Sequence, residues 1–231
     1  MKFIDQSPDM KLTLRVLSRL LSYPDAELRR HLPELLAAIG AERALGATRR
    51  IELEALIRSL ERASTLDAEA SYVELFDRGR STSLHLFEHV HGDSRERGPA
   101  MIDLAQTYAK AGLQLGPNEL PDYLPAMLEF LSTQPAREAR AFLAEMAHIL
   151  NAIFSALQQR QSGYASVLGA LIELAGEKAR AVKLAPEESL DESWQEPVVF
   201  DGCSAKGQAR PNQPQPIHIV RKSPACEGAR T

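Results

Sequence analysis

Hydrophobic residues recur along most of the chain with the spacing of amphipathic helices. Between residues 8 and 24, Met10, Leu14, Leu17 and Leu21 repeat every three or four positions. Comparable stripes follow as far as residue 176, and no segment of this region alternates with the two-residue period of a strand. The pattern predicts an all-α fold, a single helical domain of about eight helices with short connections.

Capping residues predict where several of these helices begin and end. Ser64 and Asp122 are the residue types that cap helix N-termini with a side-chain oxygen. Pro99 fits the first position of a helix, where a missing N–H has no consequence, and Pro135 opens another helix. We expect the helix after Pro135 to be long and unbroken, and the second helix of the chain to end before Gly40.

Charge divides the chain into three parts. Residues 177–202 carry seven acidic and three basic residues, whereas residues 203–231 carry one acidic and five basic residues together with four prolines. We therefore predict a helical domain over residues 1–176, an acidic and partly ordered segment over 177–202, and a Pro-rich basic flexible tail over 203–231. Trp194 suggests that the acidic segment docks back onto the helical domain.

Composition narrows the classes of protein to which the chain can belong. The net charge of −4 and the isoelectric point near 5.9 give no electrostatic basis for binding nucleic acid. Cys203 and Cys226 are too far apart for a CxxC metal site. No run of 18 apolar residues and no signal-peptide pattern is found, so we expect a cytoplasmic protein without stable membrane insertion.

A cluster of reactive side chains lies between residues 83 and 91. His85, Glu88 and His89 follow the H-x-x-E-H order of one zinc peptidase class, in which two imidazoles hold zinc and the carboxylate acts as general base. A catalytic zinc site needs a third protein ligand, for which His31 and His148 are candidates. One hypothesis is thus a helical zinc-dependent hydrolase, and the other is that these side chains hydrogen-bond loop backbone or line a polar groove.

A second polar cluster, over residues 118–125, combines acidic residues with two prolines. Asp122 fits a helix N-cap. The same residues would also fit an anionic rim beside an apolar groove, suited to a peptide that carries Arg or Lys next to Leu and Phe. The residues by themselves leave both interpretations open.

Three segments resemble the respiratory nitrate reductase assembly chaperones of the NarJ type, which belong to the redox-enzyme maturation chaperones. They are LSRLLSYPDAEL (17–28), YVELFDRGRSTSLHLFEHVHGDSRERGPAMIDL (72–104) and NELPDYLPAMLEFLS (118–132), and residues 194–197 add to the likeness. The resemblance implies an all-helical, cytoplasmic protein without catalytic activity or a cofactor of its own. Its partner would be the catalytic (alpha) subunit of nitrate reductase, whose N-terminal peptide it would keep competent for molybdenum cofactor insertion and membrane assembly. Whether two copies form a homodimer stays open.

The resemblance also indicates a peptide-binding cleft. The Glu-Pro-x-Asp-His loop of the wider class corresponds here to Glu119, Leu120, Pro121, Asp122 and Tyr123, with an inserted Leu and with Tyr in place of His. The expected peptide-binding residues are Phe76, Leu86, Phe87, Glu88, His89, His91, Glu119, Pro121, Asp122, Tyr123, Met127 and Phe130. Because His85, His89 and His91 gain charge in acid, we predict weaker binding of a basic peptide below about pH 6.

Overall fold

The computed structural model describes residues 9–92, 94–117, 119–180 and 182, and these residues confirm the all-α fold. They form ten α-helices and contain no strand. The helices are α1 (Lys11–Leu21), α2 (Ala26–Ala41), α3 (Ala47–Arg62), α4 (Thr65–Tyr72), α5 (Leu86–Val90), α6 (Arg97–Lys110), α7 (Leu124–Thr133), α8 (Ala136–Glu145), α9 (Ala147–Gln159) and α10 (Ala165–Leu174). A π-helical turn (Val73–Asp77) and a 3₁₀ turn (Arg80–Thr82) follow α4. The predicted basic tail and Trp194 lie outside the described residues.

The core centres on two helices, α10 and α1. In α10, eight of the ten residues are buried, which matches its almost uninterrupted apolar sequence. It packs against α3, α8 and α9, and also against α1. The apolar stripe of α1 packs mainly against α7, where Ser18 Oγ donates a hydrogen bond to Pro125 O at 2.9 Å. This α1–α7 contact fixes where the segment before α7 runs.

Several predicted helix ends are confirmed and others are wrong. Ser64 caps α4, since its Oγ accepts the Asp67 N–H at 3.1 Å. The second helix continues through Gly40 to Ala41, and α6 begins at Arg97, two residues before Pro99. Gly40 is tolerated inside α2 because helix propensity is a weak preference that packing overrides.

The long helix predicted after Pro135 is two helices. A bend of 66° separates α8 from α9, with Met146 at the junction. The apolar stripes of the two helices have the same period, so the bend leaves no mark in the pattern of hydrophobic positions. Among the described residues, no single helix is both long and apolar enough to cross a membrane, and α8 and α9 reach that length only as a bent pair.

The chain leaves the helical core after Gly176, whose φ of +83° ends α10 in the left-handed conformation that glycine favours. The residues beyond it run along α9. The Arg180 N–H donates to Asn151 Oδ1 at 2.8 Å, and the Val182 N–H donates to Ser155 Oγ at 3.0 Å. The start of the acidic segment is therefore held to α9, while its docking through Trp194 stays a prediction.

Candidate functional site

The two polar clusters singled out in the sequence lie side by side. His85 and Tyr123 form an isolated antiparallel bridge between the segments before α5 and before α7. The Leu86 N–H donates to Asp122 O at 3.0 Å, and the Leu124 N–H donates to Leu84 O at 2.9 Å. Two loops far apart in the sequence are thereby joined into one unit.

Asp122 stabilises this junction and is fully buried, so the prediction that it caps α7 is wrong. The N-cap of α7 is Tyr123, which makes no side-chain capping bond. The Asp122 carboxylate instead accepts the Phe87 N–H at 3.2 Å and the His85 Nδ1–H at 3.3 Å, and Arg97 Nη2 lies 3.6 Å away. A buried carboxylate requires such donors, and here the residues around α5 and the start of α6 supply them.

Glu88 and His89 support the same loop. Glu88 accepts the Ser83 Oγ–H at 2.6 Å and lies 3.4 Å from Arg97 Nη2, and the His89 Nε2–H donates to Ser83 O at 2.9 Å. Arg97 therefore neutralises two carboxylates, those of Glu88 and Asp122. The cluster is a hydrogen-bonded brace for residues 83–89.

The zinc-hydrolase hypothesis is not supported by this geometry. His85 precedes α5 and its ring faces Asp122, whereas His89 turns back to the Ser83 carbonyl, so the two imidazoles do not converge. His31 pairs with Glu34 on α2, and His148 contacts the Glu145 carbonyl at the end of α8. Within the described residues, no three His, Cys, Asp or Glu side chains are grouped to hold a metal ion.

The brace acts directly on the protonation of one titratable group, His85. Its Nδ1–H bond to Asp122 raises the pKa of His85 above the ordinary 6.5, although burial acts in the opposite direction. The charges of Asp122 and Glu88 also raise it, and that of Arg97 lowers it. The protonated imidazole is therefore favoured in the folded protein at a higher pH than in the unfolded chain.

Beside the brace is a cavity of about 320 Å³, which we call the tyrosine cavity. Its aromatic lining consists of Tyr23, Tyr72, Phe76 and Tyr123. Its other lining residues are Leu84, Leu120, His85, Asp77 and Glu119. The cavity thus combines an apolar interior with carboxylates of both flanking segments.

Hydrogen bonds and ring contacts fix the walls of the tyrosine cavity. The Tyr72 hydroxyl donates to Leu21 O at 2.7 Å, and its oxygen lies 3.2 Å from the Tyr123 hydroxyl. The Tyr72 ring contacts Tyr23 edge-on at a centroid distance of 5.6 Å, and the centroid of the Phe76 ring lies 4.8 Å from that of Tyr72. Burial raises the pKa of Tyr72 well above 10, so its hydroxyl stays a neutral donor.

A second cavity, of about 610 Å³, lies along α4 and shares Tyr23 with the first. It is lined in addition by Leu66, Glu69, Val73 and Glu74. Tyr23 and Leu66 are 44% and 75% exposed, so this part of the surface is apolar as well as acidic. The two cavities together form an extended apolar surface with acidic residues along it.

The residues predicted to bind a peptide fall into two groups. Phe76, Glu119 and Tyr123 line the tyrosine cavity. The others do not line it. Leu86, Met127 and Phe130 are buried in the core, and Glu88, His89 and Asp122 form the brace. Pro121 is buried and its carbonyl accepts the Tyr108 hydroxyl at 2.8 Å, while the half-buried rings of Phe87 and His91 contact each other edge-on. The peptide-binding role of every one of them stays a prediction.

The sequence prediction of peptide-binding residues missed six lining residues of the cavity: Tyr23, Tyr72, Asp77, Leu84, His85 and Leu120. Tyr23 lies in the first motif of the resemblance, and Asp77 lies where the helical pattern breaks after Phe76. Leu120, at 45% exposed, interrupts the acidic loop. The sequence offered two signals: Tyr23 is an aromatic residue before a proline, and Leu120 is an apolar residue between the acidic residues Glu119 and Asp122.

Known proteins are similar in sequence to this chain over most of its length. Residues 24–169 match the family described as nitrate reductase delta subunit. The nitrate reductase molybdenum cofactor assembly chaperone NarJ of Escherichia coli (strain K12) is 44% identical over 198 residues, which cover 81% of this chain and 84% of that protein. The "Probable nitrate reductase molybdenum cofactor assembly chaperone NarJ" of Bacillus subtilis (strain 168) is 35% identical over 167 residues, covering 71% and 88%.

A solved structure shows the same fold. It comes from Archaeoglobus fulgidus, is assigned by name to redox enzyme maturation, and superimposes with a TM-score of 0.52 at 21% identity. The match covers 77% of this chain and all of the archaeal one. The fold follows from the structural match and the family from the sequence matches: this chain belongs to the nitrate reductase delta subunit family.

Proposed function

We propose that this protein is an assembly chaperone of nitrate reductase, which binds the N-terminal peptide of the catalytic subunit across the tyrosine cavity. Binding would keep the subunit competent for molybdenum cofactor insertion and delay its attachment to the membrane partner. The family and the NarJ relatives support the nitrate reductase client. The observation that carries the peptide site is the apolar cavity flanked by Asp77 and Glu119.

The surface suits an amphipathic helix with basic residues. Such a peptide binds by placing its apolar face in a groove, with anchors spaced by about one helical turn. The two cavities on either side of Tyr23 offer apolar contacts in succession, while Glu69, Glu74, Asp77 and Glu119 supply negative charge along them. Opposite charges guide encounter and fix the register of the bound peptide.

A binding role without catalysis agrees with how the reactive side chains are used. Glu88, Asp122 and His89 bond to the loop that they brace, and this occupies the groups that acid–base chemistry would need. We propose that the protein acts in the cytoplasm, where its client folds, and that it holds no cofactor itself. Self-association into a homodimer is not required for this role.

Titration of the full chain with a synthetic peptide of the client's N-terminus tests the proposal. We expect a dissociation constant of about 1 μM or tighter, and no binding of a peptide with the same composition in scrambled order. Calorimetry supplies the measurement. Equal binding of both peptides, or of neither, would contradict the proposed peptide recognition.

A matched pair of leucine variants locates the site. Leu120 lines the cavity and Leu12 lies at the far end of α1 from Tyr23, and both are 45% exposed. Leu120→Ser should weaken peptide binding by about tenfold, since it removes an apolar anchor, whereas Leu12→Ser should leave it unchanged. Equal effects of the two substitutions would place the peptide elsewhere.

A further inference from the structure

The lining of the tyrosine cavity has the chemistry of a cation site. Aromatic rings attract a cation through their negative faces, and Lys, Arg and alkylammonium groups are bound by several rings together. Here Tyr23, Tyr72 and Tyr123 line one cavity, with Phe76 beside them. Carboxylates on two sides, Asp77 and Glu119, add full negative charges to the attraction of the rings.

The π turn brings one of these carboxylates to the cavity. Asp77 follows Tyr72 by five positions, and in an α-helix it would point about 140° away from it. Residues Val73–Asp77 instead form a wider turn, closed by the Arg78 N–H bond to Val73 O at 3.1 Å. In this turn Tyr72, Phe76 and Asp77 all face the same cavity. Such turns are rare in proteins overall, and many of those known lie at functional sites.

The second carboxylate comes from the segment before α7. Glu119 Oε2 accepts the Gly116 N–H at 3.1 Å, which holds this exposed side chain at the rim. The remaining titratable groups of the lining are His85 and the tyrosine hydroxyls. Since the tyrosines are neutral, the two carboxylates outweigh the one imidazole in either of its protonation states, and the cavity favours a positive occupant.

The size of the cavity limits that occupant to one side chain. At about 320 Å³ it is at the lower end of small-molecule pockets, which span about 300–1,000 Å³. A helix of about 10 Å diameter does not enter such a space, but one side chain projecting from it does. The apolar walls suit the methylene stem of a long basic side chain, and the carboxylates suit its charged end.

We propose that the tyrosine cavity is a cage for a single cationic side chain, an arginine or a lysine, of the client peptide, and that Asp77 and Glu119 determine this specificity. The inference rests on the proposed function for the identity of the client. It assigns the two carboxylates as contacts of the bound cation and the three tyrosines as its aromatic walls. Neighbouring apolar residues of the peptide would then lie on the open surface around Tyr23.

Neutral replacements in the peptide test the cage. Each arginine is replaced in turn by citrulline and each lysine by norleucine, and each peptide is titrated into the full chain. One position should lose about tenfold or more in affinity while the others change by about twofold or less. Losses within about twofold at every position would overturn the cage while leaving peptide binding intact.

Variants of the chain identify the carboxylates. Asp77→Asn and Glu119→Gln keep the size of each side chain, and each should weaken the native peptide several-fold but not the peptide already neutral at the critical position. Glu61→Gln, at an exposed position of α3 that does not line the cavity, is the control for loss of a negative charge. Equal losses with the native and the neutral peptide would overturn the assignment of the two carboxylates.

A small cation separates the cage from the proposed function. Butylguanidinium is titrated into the full chain, with the tyrosine ring signals followed by NMR, and should bind with a dissociation constant on the order of 1 mM. Asp77→Asn should abolish the shifts and Glu61→Gln should retain them. Binding of butylguanidinium without binding of the client peptide would sustain the cage and refute the function, and peptide binding without any butylguanidinium shift would do the reverse.

Discussion

Asp122 connects two segments that the chain places 35 residues apart, through its bond to the Phe87 N–H. It is completely buried, and its partners are the backbone N–H of Phe87, the imidazole of His85 and the guanidinium of Arg97 at the start of α6. A residue of this kind contributes to function by holding the wall of the cavity in place. Within the tyrosine cavity, the carboxylates that can meet a ligand directly are the exposed ones, Asp77 and Glu119.

Removing the Asp122 carboxylate should destabilise the protein. In Asp122→Ala, Arg97 and the Phe87 N–H lose a buried acceptor, and we expect the free energy of unfolding to fall by about 3 kcal/mol. Asp122→Asn retains the volume and one acceptor oxygen and should cost less. Urea denaturation measures both, with Glu61→Gln as the exposed control. A loss for the alanine variant no larger than that of the control would contradict the bracing role.

The His85–Asp122 bond should make stability depend on pH in a defined direction. Because the folded protein raises the pKa of His85, the bond contributes fully below about pH 6.5, the ordinary value, and its contribution is lost as the pH rises through the raised pKa. The stability difference between the natural protein and His85→Gln should therefore be larger at about pH 6 than at about pH 9.

Urea denaturation at both pH values measures this difference. His148→Gln, an exposed imidazole on α9, controls for loss of a histidine in general. A difference that grows towards alkaline pH would show that the neutral form of His85 is the one that stabilises the fold.

Among the connections between helices, the turn after the π helix is tightly packed, and it joins two lining residues of the tyrosine cavity, Asp77 and Leu84. A Cβ at Gly79 would lie within 2.6 Å of Leu75 O and 2.7 Å of Arg160 Nη1, and it would also meet the Thr82 hydroxyl. The Thr82 hydroxyl closes this turn by donating to Leu75 O and contacts Gly79 O. The backbone there has no room for a side chain, although its φ of −92° is ordinary.

Gly79→Ala should therefore open the turn and lower the free energy of unfolding by about 2 kcal/mol, the range of overpacking at a tight site. Gly40→Ala is the matched control, since Gly40 lies inside α2 with nothing within 4 Å of the added methyl group, and it should stabilise by about 0.5–1 kcal/mol. Thermal or urea unfolding measures both. A destabilisation shared by the two variants would refute the packing argument.

These elements also show what the sequence could predict. The all-α fold and most of the helices follow from the period of Leu, Val and Ile, because burial of one apolar face decides where a helix forms. The break at Met146 and the π turn leave that period almost unchanged, so neither was predicted. The role of Asp122 was not predictable locally, since a cap and a buried brace need the same residue and differ only in a partner 35 residues away.

For the whole molecule, the sequence located the region of the site but not which of its residues are exposed. The resemblance drew attention to two segments, and the structure joins them at the His85–Tyr123 bridge. It did not distinguish residues that face the cavity from residues behind it: Tyr123 faces it, while Met127, one helical turn on, is 1% exposed in the core. Exposure depends on α1 packing against α7, a contact that no short motif contains.

Client binding should weaken as the solution becomes more acidic, and earlier than the sequence suggests. His85 lines the tyrosine cavity together with Asp77 and Glu119, and its protonation reduces the negative charge that a basic peptide meets. Because the bond to Asp122 raises the pKa of His85, the loss should set in above about pH 6.5, the ordinary value, rather than below about pH 6. Charges behind the ring, Glu88 and Arg97, act on it in opposite directions.

Calorimetric titration of the peptide at about pH 8, 7 and 6 measures the effect, and repeating it in buffers of different ionisation enthalpy counts the protons released on binding. His85→Gln should flatten the profile and abolish the release, and His148→Gln should retain both. Tighter binding in acid would mean that the protonated imidazole contacts an acidic part of the client. Proton release that persists in His85→Gln would assign the dependence to another group, and the cavity would then discriminate charge through Asp77 and Glu119 alone.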